Sequence, residues 1–252
     1  EQVGTETGRS RIRTFQRQLL EHRQELLPYA IQAAEARGYT YPSGVEAAFE
    51  YAVLEYLFAF WQYGNGNCDL IPGATASADE MWSALTTVSS PLDYSDHDIE
   101  YYSPFWYQAY TELGYYPHYT EHLSDLLTAV PAPTYRSFAP AGVELSFHPQ
   151  AMLDVRDWLA REGNRFIYIY GALDPYTVAA VDDPPPGIDA IKVVQSGTNH
   201  STGIARLDRR EEVCTALERW LEVKIDRSRL TGLPGTGEAA ANFRRQPGPR
   251  AE

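Results

Sequence analysis

Phe166-Ile167-Tyr168-Ile169-Tyr170-Gly171-Ala172-Leu173-Asp174-Pro175 is the stretch that decides the fold. A β-branched and aromatic run stops at a glycine, and an Asp-Pro turn follows at once. A second run, Ile191-Lys192-Val193-Val194, ends at Ser196-Gly197 and leads into Thr198-Asn199-His200. Between them lies a Pro-rich crossover with Asp182, Asp183 and Pro184 to Pro186. Such runs read as parallel strands buried on both faces. In sheets of this kind the working residues collect on loops that leave the carboxyl ends of the strands.

Asp174 past the first strand and His200 past the next stand in the order of the second and third members of a Ser…Asp…His triad. The imidazole must take a proton from a serine on one side while a fixed carboxylate holds its other N–H. Adjacent parallel strands bring the two loops together, and Gly197 permits a tight turn toward the sheet. Taken singly, each residue also fits a turn or a cap. Ser196 and Ser201 follow Asp174, the wrong order for a nucleophile in this arrangement, and no Gly-x-Ser-x-Gly occurs in the chain.

Upstream of the strands the pattern is almost wholly helical. Residues 10–37 carry Ile12, Phe15, Leu19, Leu26, Ala30 and Ile31 near helical spacing, with Pro28 expected to kink the stretch or start a second helix. Val45, Ala48, Phe49, Ala52, Val53, Tyr56, Leu57 and Phe60 mark the clearest helix, with Ser43 and Glu46 as its capping box. Ser77 and Glu80 form a second box ahead of Met81, Trp82, Leu85 and Val88. Further helices are predicted over 104–113, 120–129 and 149–161, and a last one over 208–223 capped by Asp208 with Glu211. From Asp226 the chain is rich in Gly, Pro, Arg and Ala with no apolar face, and a disordered tail is expected over 226–252.

Composition fits a globular protein, with 44% apolar and 22% charged residues. The net charge of −13 excludes a phosphate-binding footprint, so no nucleic-acid partner is expected. No apolar run approaches the roughly 18–20 residues that span a bilayer, so no membrane partner is expected. The chain opens Glu1-Gln2-Val3-Gly4 with neither an initiator methionine nor a signal peptide, which reads as a processed or partial chain. Its 18 Tyr, 9 Phe and 5 Trp concentrate between Phe49 and Tyr119, as a helical core or as a substrate-contacting wall. The cysteines are two, Cys68 and Cys214, which allows at most one internal disulfide.

Several motifs together resemble the bacterial prolyl tri/tetrapeptidyl aminopeptidases. They are Phe60-Trp61-Gln62-Tyr63-Gly64 with Cys68 and Ile71-Pro72, and Pro104-Phe105-Trp106-Tyr107-Gln108-Ala109 with Leu113-Gly114. Tyr168-Gly171-Asp174-Pro175 and Gly197-Asn199-His200 complete the set. The resemblance implies a secreted serine peptidase of α/β-hydrolase fold, with a helical cap over 1–150 and the carboxyl-terminal strands and helices of the core over 151–225. It implies Asp174 and His200 as catalytic acid and base, a peptide substrate cleaved at its amino end after proline, and no cofactor. It also implies that the strands and serine elbow ahead of the cap are missing, so that this chain is expected to be inactive alone: it either pairs with a second chain carrying that amino-terminal half, is cut from a longer chain, or is a stable but decayed relative. A cysteine expected near residues 8–10 is replaced by Gly8-Arg9-Ser10, and Tyr176 stands where Trp is common. An exopeptidase needs an acidic group for the free amine, and Glu50, Glu55 and Glu100 are the candidates.

Two other readings use different residues. His118-Tyr119-Thr120-Glu121-His122 matches H-x-x-E-H, the inverted zinc-peptidase pattern. Pro117 and Thr120 place His118 outside a helix, however, so no metal site is expected. Asp93, Asp96, His97 and Asp98 form a polar cluster expected on an exposed loop. The non-catalytic alternative is a helical binding or interaction protein whose two strands are only structural.

Overall fold

The computed structural model describes residues 4–64, 67–200 and 203–230. The chain divides into two units, one of Thr5–Phe60 with Asn67–Leu153 and one of Glu1–Gly4, Trp61–Gly66 and Asp154–Glu252.

The first unit is helical. Helix α1 spans Glu6–Glu21 and α2 spans Arg23–Glu35. The break between them is His22, not Pro28, which sits inside α2. Helix α3 covers Val45–Gln62, its last residues belonging to the other unit. Its start differs by one residue from the expected capping box. Gly44, at φ +86°, receives the Ala48 N–H, so the capping position falls on Gly44 and not on Ser43. Helix α4, Ala78–Val88, begins with the expected reciprocal bonds between Ser77 and Glu80.

Helix α5 runs Asp96–Gln108 and passes into a wider turn, Ala109–Leu113. It starts well ahead of the expected 104 because the Ser95 side chain caps it, accepting from the Asp98 N–H. The polar cluster is therefore not a loop but lies on a 3-10 turn, Pro91–Tyr94, and the start of α5, with Asp93 exposed. Asp93 accepts from the Ser90 N–H, and Asp96 accepts from both the N–H and the hydroxyl of Thr40. The helix expected over 120–129 is a single 3-10 turn, Glu121–Leu123, in which Leu123 is buried. The core draws Ile12, Phe15 and Leu19 from α1, Phe49, Ala52 and Val53 from α3, and Met81 and Leu85 from α4. Tyr51, Tyr94, Tyr135 and Phe138 extend it as a ring cluster with centroids 5.2–6.0 Å apart. The aromatic-rich segment thus supplies core, while Tyr101, Tyr102, Phe105 and Tyr107 of α5 stay exposed.

The second unit holds most of α6, Gln150–Glu162, then β1, Ile167–Gly171, β2, Ile191–Gln195, and α7, Arg210–Leu221. The strands pair in parallel, Ile167 opposite Ile191 and Gly171 opposite Gln195. Val193, Leu207 and Val213 form the buried centre, with Ile167, Ile169, Ile191, Ile204 and Leu217 against it. Asp208 does not cap α7. Its carboxylate accepts from the Gln195 side chain and its N–H donates back to Gln195 Oε1, tying the helix start to the end of β2. The first part of the expected tail is structured instead: Arg227–Leu230 form a 3-10 turn and Arg227 pairs with Glu211 and Glu218. The remainder of the expected tail lies outside the described residues.

Among the described residues the sheet has two strands. The chain is thus mostly helical with a small parallel sheet, a partial α/β architecture.

Candidate active site

The loops after β1 and β2 are joined by backbone bonds that continue the ladder. Ala172 N–H donates to Gln195 O at 2.9 Å, and Leu173 N–H donates to Thr198 O at 2.8 Å. Gly171 makes this approach feasible. A Cβ there would stand 2.2 Å from Asn199 O and 2.6 Å from Thr198 O, both backbone atoms that cannot swing away. Gly171→Ala is therefore expected to lower stability by about 1–3 kcal/mol, the cost of overpacking. It should also shift the loop bearing His200. Denaturant midpoint and the His200 ring resonances check this, and an unchanged pair of readings would count against the account of this loop.

Asp174 opens the 3-10 turn Pro175–Ala179, and its carboxylate is divided between two tasks. One oxygen accepts from the Tyr176 N–H at 3.0 Å, while Oδ2 lies 2.7 Å from His200 Nδ1. The acid side chain is 7% exposed and the imidazole 51%, so the carboxylate is fixed and the ring reaches solvent. Because Oδ2 of the ionised carboxylate accepts the hydrogen bond from Nδ1–H, neutral His200 carries its acceptor lone pair on Nε2. The hydrogen bond from Asp174 raises the His200 pKa above its ordinary value, with burial acting against it.

The backbone that carries the ring is held from a second direction. His200 N–H donates to Gln62 O at 3.1 Å, and the Asn199 side chain donates to Gly64 O. The rings of Tyr63 and Tyr176 lie 5.8 Å and 6.4 Å from the imidazole. Phe60 to Gly64 stands out in the sequence as a motif, but nothing local to it marks the contact of Gln62 and Gly64 with the His200 loop. Gly197 adopts φ +69°, the left-handed turn expected of it.

The three candidate amine-binding carboxylates part company. Glu50 is fully buried and accepts from Arg23 and from the N–H groups of Thr128, Ala129 and Val130, so it is spent on structure. Glu100 lies exposed on α5. Glu55 accepts from the hydroxyls of Tyr116 and Tyr135 beside a small cavity. In the H-x-x-E-H segment, His122 Nε2 pairs with Gln16 and His118 lies outside any helix. Among the described residues no group of three or more His, Cys, Asp or Glu is arranged to hold a metal. Cys214 is a free thiol buried in α7. Among the described residues no helix is long and apolar enough to cross a membrane.

An aspartate that fixes an imidazole at the ends of adjacent parallel strands is an arrangement met in hydrolases that use an acid–base relay. The family described as PS-10 peptidase S37 matches residues 1–233, and the chain belongs to that family. A prolyl tri/tetrapeptidyl aminopeptidase of Streptomyces mobaraensis is 28% identical over 235 residues, covering 88% of this chain and 48% of that protein. The chain spans about half the length of this curated relative. No solved structure matches it.

Proposed function

We propose that this chain supplies the acid and base of a serine aminopeptidase of α/β-hydrolase fold. The supporting observation is the 2.7 Å hydrogen bond from His200 Nδ1 to Asp174 Oδ2, on loops that follow neighbouring parallel strands. Nε2 of His200 takes the proton of a serine hydroxyl as that oxygen attacks the scissile carbonyl. The same proton then passes to the departing amine, and a second cycle with water frees the acyl group. Asp174 keeps its charge throughout and stabilises the imidazolium.

The nucleophile in this reading comes from residues outside these 252, on a strand-to-helix elbow. Two observations agree with a sheet completed by further strands. Among the described residues each of the two strands has an unpaired edge, and Val194, the penultimate residue of β2, is 47% exposed. The helical unit of Thr5–Phe60 and Asn67–Leu153 serves as the cap, and the enzyme is secreted. The substrate is a peptide with a free amino end, from which three or four residues ending in proline are released, as the name of the Streptomyces relative suggests. Alone, the chain has no alkoxide to form and does not hydrolyse peptides by this route.

The raised His200 pKa gives the reading a testable sign. The base must be neutral, so kcat/KM of the chain joined to its elbow-bearing half should rise with pH along a limb centred above 6.5, the ordinary imidazole value. The same pairing adds stability that is fully present below pH 6.5 and is lost as pH climbs through the folded-state value. A rate limb centred at or below 6.5, measured with a chromogenic tripeptide ending in proline, would sink the assignment of His200 as the base.

A further inference from the structure

The imidazole of His200 is fixed by little packing of its own. Its side chain is 51% exposed, and the ring centroids of Tyr63 and Tyr176 stand 5.8 Å and 6.4 Å from it. Its aim at Asp174 therefore depends on where the backbone of residues 199–200 is held. The Nδ1 to Oδ2 bond of 2.7 Å weakens steeply once its angle is lost. That backbone has attachments on two sides. Toward β1, the Leu173 N–H donates to the Thr198 carbonyl, and the Asn199 carbonyl crowds Gly171. On the other side stands Gln62-Tyr63-Gly64, the last residue of α3 and the two that follow it, in the same unit as the His200 loop.

Two bonds join that segment to the loop. The His200 N–H donates to the Gln62 carbonyl at 3.1 Å, and Asn199 Nδ2 donates to the Gly64 carbonyl at 2.5 Å. A carbonyl only accepts, so the NH2 end of the Asn199 side chain must face Gly64. Carbonyls at the end of a helix lack partners within the helix and draw donors from elsewhere. Here two consecutive residues, 199 and 200, supply donors to acceptors two positions apart. One bond alone would be a pivot about which the loop could turn, whereas the pair fixes direction as well as position. The Leu173 and Gln62 bonds are backbone bonds that almost any residue at 198 and 200 would make. The Asn199 bond belongs to a side chain, and that side chain's residue is 3% exposed, which leaves water little room to replace it.

We propose that Asn199 is a positioning residue: its carboxamide, seated on the Gly64 carbonyl, sets the direction in which His200 presents its ring to Asp174. It touches no reacting atom and acts through His200. An asparagine that served the fold alone would hold the loop against unfolding and leave the pairing of the ring unchanged. The use of this alignment in proton transfer rests on the peptidase reading, while the alignment itself does not.

The test is an NMR pH titration of the His200 ring in the full chain, wild type against Asn199→Leu, which keeps a similar volume and removes the donor. The wild-type midpoint should lie above 6.5, because the hydrogen bond from Asp174 raises it. In Asn199→Leu it should fall back toward 6.5, by about 0.5 or more, as the ring loses its alignment. If circular dichroism shows that variant unfolded, Asn199→Ala carries the same prediction. Unfolding of both overturns the proposal, since Asn199 would then serve the fold and not the ring. An unchanged midpoint in a folded variant overturns it as well. In the chain joined to its elbow-bearing half, the folded variant should lose about tenfold or more in kcat with KM changed by less than about twofold, since a misplacement of about 1 Å costs on the order of 100-fold. An unchanged kcat beside a dead His200→Ala contradicts the positioning role alone. Full activity in His200→Ala with the midpoint moved in Asn199→Leu leaves the positioning role standing and removes the peptidase reading.

Discussion

Glu50→Gln is expected to cost about 3–5 kcal/mol of folding free energy, the range for removing one partner of a buried ion pair. Glu50 is 0% exposed, and its carboxylate accepts five hydrogen bonds. Arg23 supplies one at 2.7 Å, the N–H groups of Thr128, Ala129 and Val130 supply three, and the Thr128 hydroxyl supplies the fifth. An amide offers one oxygen where two are needed, and its NH2 would point at groups that only donate. The guanidinium of Arg23, which also donates to the Leu126 carbonyl and to Thr128, would be left beside a neutral partner. Replacing both members of the pair by apolar residues should not fully rescue the loss, because the N–H groups of Thr128, Ala129 and Val130 would lose their acceptor.

Domains have only about 5–15 kcal/mol in hand, so the Glu50 variant should sit near its unfolding threshold. The pH dependence has a definite sign. Burial works to raise the Glu50 pKa, but the N–H groups of Thr128, Val130 and Ala129 outweigh it and hold the group below its ordinary 4.5. Its contribution is therefore complete above pH 4.5 and is lost as pH falls through the folded-state value. Urea unfolding of wild type and variant at neutral pH checks the magnitude. A difference under about 1 kcal/mol would show that Glu50 is not the tie between α3 and the 128–130 loop.

The sequence carried the strands and the longest helix because those segments are governed by local pattern. Phe166–Tyr170 and Ile191–Val194 have β-branched and aromatic runs with glycine stops, and α3 repeats apolar residues over its whole length. What escaped was decided by partners far along the chain. Asp208 looks like a helix cap until Gln195 claims its carboxylate. The acidic run 93–98 looks like a loop until Ser95 and Thr40 use its polar groups, which lets α5 start early. The stretch 120–129 has helical spacing, yet the N–H groups of Thr128 and Ala129 are committed to Glu50 and leave only one turn.

The candidate site divides in the same way. Asp174 and His200 were legible because strand order fixes which loops become neighbours. The role of Gly171 was not, since its hydrogen faces the backbone of residues 198–199, and that close approach has no local signature. Nor was the contact of Gln62 and Tyr63 with the His200 loop, which joins residues more than a hundred positions apart. Glu50 and Glu55 carry the same side chain on one helix and could not be ranked by sequence. One is enclosed by donors, and the other receives tyrosine hydroxyls at a cavity.

The largest effect on activity is expected from His200→Ala. In the proposed mechanism the imidazole is both the proton acceptor for the serine and the proton donor for the leaving amine, and a well-placed base of this kind is worth several orders of magnitude. The fold should tolerate the change, because the ring is about half exposed and the loop is held by backbone bonds from Leu173 and to Gln62 that alanine keeps. Asp174 keeps its bond to the Tyr176 N–H as well. The decisive measurement is the hydrolysis rate of a chromogenic tripeptide ending in proline, using the chain joined to the half that bears the serine elbow. A fall of at least about 10³-fold in kcat for His200→Ala, with an unchanged unfolding midpoint, is the predicted result. Near-full activity in the variant would contradict the acid–base role of Asp174 and His200.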